Sequence, residues 1–213
     1  MNIFITGGTG YLGRELIPQL LGHGHKVRAL VRAGSEKGLT GGCEVVPGDA
    51  LRGETFSARV VPSDTFIQLV DVPHPSPAKA RQFREIDLVS ALASIAAAKA
   101  AGVKHFIYVS VAQPAPMMKE YQAVRAEAEA ALRATGMNAT ILRPWYILGP
   151  GHRWPCFLVP AYWICERLPW TRDGARRLGL VTLRQMIAAL VRAVEQPARG
   201  TKIVTVPEIR RAE

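Results

Sequence analysis

Apolar positions along this chain switch between two periods. Residues 2–6 form a short unbroken apolar run, after which Leu12, Leu16, Leu20 and Ile17, Leu21 recur at helical spacing. A glycine-bounded apolar run predicts a buried strand, and the 3.6-residue period predicts an amphipathic helix directly after it. The alternation then repeats. Lys26 to Arg32 reads as a second strand after the Gly22-His23-Gly24-His25 turn, residues 43–50 as a third and 64–70 as a fourth. The apolar stretch 104–111 gives a fifth, 138–142 a sixth and 202–206 a seventh. An alanine-rich helix is predicted over 78–101, with Phe83, Ile86, Val89/Ser90 and Ala93 on its inner face and Gly102 as its C-cap. A second is predicted over 118–135, stopped at Gly136, and Thr182-x-x-Gln185 is a capping box opening a third that runs to about Glu195. Strands alternating with helices predict an α/β, doubly wound parallel sheet of about seven strands with right-handed crossovers. The pattern predicts a single domain over 1–213, in which 143–213 supplies a small C-terminal cap together with the last helix and strand.

The first strand-to-helix junction carries the chemistry. Gly7-Gly8-Thr9-Gly10-Tyr11-Leu12-Gly13 contains Gly8-x-Gly10-x-x-Gly13, the spacing of a dinucleotide-binding turn in a Rossmann-type sheet. Glycine lets a ligand approach the main chain closely. The opening amides of a helix have no internal partners, and the helix dipole adds positive charge there, so a pyrophosphate is the natural guest. At the end of the second strand, an NAD site places an acid on the ribose hydroxyls, whereas arginine suits a 2′-phosphate. The residue here is Arg32, with no acid until Glu36. NADP(H) is therefore expected ahead of NAD(H). Asp49, after the third strand, is placed either to accept from an adenine amino group or to cap the following turn.

Composition narrows the partners. The chain has 213 residues, a net charge of +10 and three cysteines, Cys43, Cys156 and Cys165, without metal-ligand spacing. No metal site is expected; His23 and His25 lack a third ligand nearby. No apolar run is long enough to span a bilayer, and neither a secretory signal nor paired cysteines argue against a cytoplasmic location. Much of the positive charge falls in the last third, as dispersed arginines with no zinc-finger or RNP signature beside them. Nucleic-acid or anionic-membrane binding would fit that field; a basic surface around an anionic cofactor or substrate fits it better, and no nucleic-acid partner is expected.

Four stretches together resemble the atypical or extended short-chain dehydrogenase/reductase superfamily, near its NmrA-like and NAD-dependent epimerase/dehydratase branches. They are Thr6 to Gly13, Gly48-Asp49-Ala50, Ala97 to Ser110, and Ala128 to Gly149. The resemblance implies a cofactor site built from Gly7, Thr9, Gly10, Tyr11, Leu12, Gly13, Arg32, Asp49, Ala50, Val70, Val109, Pro144, Trp145 and Tyr146. It also implies catalysis by a Tyr-x-x-x-Lys pair and a hydroxyl residue. The matching positions are Tyr121 and Arg125, with Ser110 one residue ahead of the aligned position, which holds Val111. Arginine keeps the positive charge but copies the lysine ammonium poorly. The expected activity is an NADP(H)-dependent oxidoreductase acting on a small carbonyl, hydroxyl or quinone. The alternatives are a nicotinamide-assisted epimerase or dehydratase of the sugar-nucleotide type, or a non-catalytic NmrA-like NADP(H)-binding sensor. His74 is a further candidate proton donor, though an ordinary loop residue is the simpler expectation. Trp154, Phe157, Tyr162, Trp163 and Trp170 form an aromatic cluster that packs as core, caps an apolar substrate or forms a homodimer surface; core is the expectation.

Overall fold

A computed structural model describes residues 1–151, 165 and 167–212. Its centre is a seven-stranded sheet in the order β3-β2-β1-β4-β5-β6-β9, parallel throughout. The strands are β1 (Asn2–Thr6), β2 (Lys26–Val31), β3 (Glu44–Pro47), β4 (Thr65–Gln68), β5 (His105–Val109), β6 (Ala139–Arg143) and β9 (Thr201–Thr205). All seven expected strands are present. A two-stranded parallel sheet, β7 (Tyr146–Leu148) with β8 (Leu180–Thr182), was not legible in the pattern, because three residues are too few to show a period.

Alternation in β1 assigns the two faces. Ile3 and Ile5 pack with Leu16, Ile17 and Leu20 of α1 (Tyr11–Gly22), whereas Phe4 joins a stack with Phe66 and Phe106 on the other face. Ring centroids in that stack are 5.2 Å apart at both steps. The Phe4 face is covered by α2 (Val89–Ala100) and α3 (Lys119–Ala134). A short helix, α4 (Arg172–Arg177), precedes β8. The Ile3 face is completed by α5 (Leu183–Glu195), with α6 (Val206–Arg210) beside it. Both bonds of the Thr182/Gln185 capping box open α5 as expected.

One helix departs from its expected form. The 78–101 stretch is a 3₁₀ turn, one α-helical turn at Ala80–Gln82 and a π-helical stretch over Phe83–Leu88, before α2 begins. Phe83, Ile86, Ser90 and Ala93 face the core as expected, and the π turn, which holds an extra residue, adds Asp87 to that face. Val89 is exposed, and Asp87, Ser90, Ala91 and Ser94 face inward. Of the expected aromatic cluster, Trp154, Phe157, Tyr162 and Trp163 lie outside the described residues. Trp170 is 91% exposed, which corrects the core assignment for that residue. No helix among the described residues is long and apolar enough to cross a membrane.

Candidate functional site

The strand order reverses between β1 and β4, and in sheets of this kind ligands bind beyond the carboxyl ends of the strands at that crevice. The glycine turn leaves β1 at this point. Gly7 has φ +77°, and a Cβ there would lie 2.7 Å from the Leu69 carbonyl carbon, so the turn nests against the exit of β4. A Cβ on Gly13 would lie 2.4 Å from the Gly8 carbonyl oxygen, which fixes how closely α1 meets the turn. The Gly10 amide donates to Gly7 O at 3.0 Å, and the first intrahelical bond runs from Arg14 N–H to Gly10 O. No side chain caps this helix at Gly10. The opening amides of α1 thus lack a side-chain cap at a glycine-rich turn, and the cradle fits a diphosphate.

Every residue expected at the cofactor lies on this edge of the sheet. Gly7 to Gly13 follow β1, Arg32 follows β2, Asp49 and Ala50 follow β3, and Val70 follows β4. Val109 ends β5, and Pro144, Trp145 and Tyr146 follow β6. Asp49 takes the bland alternative in part: its Oδ1 accepts from the Leu51 amide at 3.0 Å, capping the turn. Beside Thr9 lies a cavity of about 470 Å³ lined by Arg14, Gly34, Ser35, Lys37 and Gly38. Arg14 Nε donates to Thr9 O at 2.7 Å, which lays its guanidinium along the turn. Arg14 and Lys37 escaped the sequence reading because only the strand end was weighed; the signal was a basic residue immediately after Gly13.

Tyr121 and Arg125, one turn apart on α3, meet as the i, i+4 spacing requires. Arg125 is 2% exposed and donates to the Tyr121 hydroxyl at 3.1 Å and to the Tyr108 hydroxyl at 3.2 Å. Its guanidinium also lies against both rings, 4.9 Å from the Tyr121 centroid and 5.7 Å from that of Tyr108. Two carboxylates neutralise it: Asp71 Oδ1 at 2.5 Å and Asp87 Oδ2 at 3.3 Å. Asp87 also accepts from the Val72 amide at 2.8 Å. Asp71, whose side chain is 45% exposed, accepts a hydrogen bond from the Tyr121 hydroxyl at 3.2 Å.

These neighbours decide the titration. Burial raises the Tyr121 phenol well above 10; Arg125 opposes this, while Asp71 and Asp87 add to it. Burial lifts the Asp87 carboxyl to about 7, against the pull of Arg125 and with a push from Asp71. In a Tyr-x-x-x-Lys site the cation lowers the tyrosine pKa; here burial outweighs the pull of Arg125, and the two acids add to the rise. Tyr121 is protonated at neutral pH. Its raised pKa makes it a weaker acid than an ordinary phenol. Asp71, Asp87 and Tyr108 were missed by sequence reasoning. Asp71 stands in the loop leaving β4, and Asp87 became visible only with the π turn.

Ser110 is held elsewhere. Its hydroxyl donates to Glu129 Oε1 at 2.6 Å in a buried cluster that also takes Gln113, Arg133 and Arg143. Burial pushes the Glu129 carboxyl up, but hydrogen bonds from Arg143 and Ser110 outweigh it and hold the group below its usual range. The structure therefore brings Tyr121 and Arg125 together and bonds Ser110 to Glu129. Among the described residues no cluster of His, Cys, Asp and Glu could hold a metal ion.

The comparisons agree with this geometry. The family described as NAD(P)H-binding matches residues 7–152. Ceramide reductase of Caulobacter vibrioides is 29% identical over 214 residues, covering 98% of this chain and 65% of that protein. The photosystem II assembly factor Ycf39 of Trieres chinensis is 34% identical over 112 residues, covering 52% of this chain and 34% of that protein. The chain thus spans less than two thirds of either relative. A dTDP-glucose 4,6-dehydratase from Streptomyces venezuelae, solved with NAD and TYD bound, superposes with a TM-score of 0.72 at 21% identity. The superposition covers 97% of this chain and 75% of that one, and shows the shared fold.

Proposed function

The chain belongs to the NAD(P)H-binding family, and from that premise we propose that it is an NADP(H)-dependent reductase of a small, largely apolar carbonyl compound. The observation that carries the cofactor preference is the cavity beside the glycine turn, walled by Arg14 and Lys37, with Arg32 at the neighbouring strand end. Guanidinium and ammonium groups around that space suit a 2′-phosphate. The bound coenzyme supplies a hydride; the chain supplies the rest. The glycine turn fixes the diphosphate, and the Tyr121 hydroxyl gives a proton to the carbonyl oxygen. Arg125 stabilises the charge left on the phenol, and the replacement proton comes from solvent at the Asp71 side, where that carboxylate orients the hydroxyl. A phenol that keeps its proton at neutral pH is in the form that carbonyl reduction requires. The kinship with a ceramide reductase supports an apolar substrate class.

Binding titrations with NADPH and NADH test the cofactor. NADPH is expected to bind at least tenfold more tightly, and Arg14→Ala with Lys37→Ala to erase the difference. A wild-type preference for NADH would overturn the 2′-phosphate assignment. For the reaction, NADPH consumption over a panel of apolar ketones and quinones is compared in wild type and Tyr121→Phe. Sugar nucleotides are included in the panel for the epimerase or dehydratase alternative.

A second reading draws on the hydrogen bond from Tyr121 to Asp71. With its proton directed at an acid, the tyrosine can be wholly structural, and the chain an NADP(H)-binding regulatory or assembly protein. Tight NADPH binding with no turnover across the panel would favour it.

A further inference from the structure

Trp170 is the most exposed large apolar side chain among the described residues, at 91%. Leu168, two positions earlier, is 44% exposed. Both sit on a tight turn, closed by the Thr171 amide on Leu168 O at 3.2 Å, that leads directly into α4. Around them the charge is one-sided. Residues 167–177 contain Arg167, Arg172, Arg176 and Arg177 against the single acid Asp173. A fully solvated tryptophan among arginines stabilises nothing in the fold, since its indole gains no burial there.

The patch has a definite place. Arg177 Nε donates to Pro114 O at 3.0 Å, which ties the end of α4 to the loop leaving β5. That loop carries Met117, itself 60% exposed, and its main chain is held by the Gln122 side chain next to Tyr121. The loop beside Tyr121 and the end of α4 are thus joined, with Met117 exposed on the one and Trp170 on the turn before the other. Indole rings favour the interface between water and hydrocarbon, where the ring meets apolar atoms and its N–H stays wet. Arginines beside them are attracted to anionic head groups.

We propose that this turn and α4 form a docking surface for an anionic lipid bilayer, with Trp170 and Leu168 entering the head-group region and Arg172 and Arg176 pairing with lipid phosphates. The partner is a lipid surface because an aliphatic side chain, Leu168, is exposed with the indole beside the charge; a base-stacking site uses the indole and has no use for the leucine. The inference goes beyond the reductase reading and does not depend on turnover. Joined to it, docking would deliver an apolar substrate from the bilayer to the mouth of the site.

The test is sedimentation of the full chain with phosphatidylglycerol and with phosphatidylcholine vesicles, alongside tryptophan emission. Binding is expected with the anionic vesicles only, accompanied by a blue shift that disappears in Trp170→Ala. Each of Arg172→Gln and Arg176→Gln is expected to lower partitioning about fivefold. Arg192→Gln with Arg211→Gln, on a separate basic face at α5 and beyond α6, should do so far less. Equal binding to both vesicle types, or an equal loss in the Arg192/Arg211 pair, would overturn the proposal. Binding to duplex DNA that displaces vesicles and ignores Trp170→Ala would also overturn it, assigning the charge to general polyanion attraction.

Discussion

At the scale of single residues, Arg125 sets the terms. A buried guanidinium needs paired acids, and Asp71 and Asp87 provide them at 2.5 and 3.3 Å. Tyr121→Phe removes the proton donor while leaving the ring packed on Phe83, whose centroid is 4.9 Å away. Turnover is expected to fall about 10²–10⁴-fold with NADPH affinity unchanged, measured by steady-state kinetics and calorimetry. Asp71→Asn is expected to slow turnover less and to lower the Tyr121 phenol pKa, because Arg125 then acts with less opposition. Tyrosinate absorbance, read against Tyr121→Phe, checks that shift even without a substrate. Gly7→Ala should cost about 1–3 kcal/mol in chemical denaturation, since φ is +77° and the new Cβ would meet main chain at 2.7 Å. Residue identity made Tyr121, Arg125 and the glycines legible from sequence. Asp71 and Asp87 were illegible as a pair: they come from different segments and meet only through Arg125.

At the scale of elements, periodicity located all seven strands of the main sheet: the central ones are buried on both faces and read as apolar runs, and the exposed edges β3 and β9 still stand out as short β-branched stretches next to turns. It found the inner face of the stretch before α2 at Phe83, Ile86, Ser90 and Ala93 but missed Asp87, because a helical period counted through Phe83–Leu88 cannot register the extra residue of a π turn. That turn is what sends Asp87 inward to Arg125. The capping box at Thr182 was fully legible, being a local motif whose two hydrogen bonds need only four residues. Thr182→Ala is expected to destabilise the chain by about 1 kcal/mol, visible as a shifted denaturation midpoint with an unchanged slope. The small β7–β8 sheet is a tertiary contact between distant short segments, and no local pattern marks it.

For the whole molecule, the pH dependence of stability carries the signature of His105. It is buried beneath the sheet end, 2.9 Å from Thr140 Oγ1, and burial lowers its pKa to about 4. An unfolded histidine titrates near 6.5. The unfolded chain therefore binds the extra proton between those values, and folding stability is complete above about 6.5 and falls as the pH drops toward 4. The loss should approach roughly 3 kcal/mol. Asp87 works oppositely, its cost growing as the pH rises from its unfolded value toward 7. The difference between wild type and His105→Gln isolates the histidine, and a curve unchanged by that substitution would refute the assignment.

The order of the strands has one more consequence. The NAD(P)H-binding match ends at residue 152, yet β9, the outermost strand beside β6, and α5, which closes the face carrying Ile3 and Ile5, both come later. A recombinant fragment trimmed to the recognised family segment would be missing one wall of its own interior. Such a truncation is expected to precipitate or unfold at room temperature. Engineers shortening this scaffold should retain the chain through Ile209, which is fully buried.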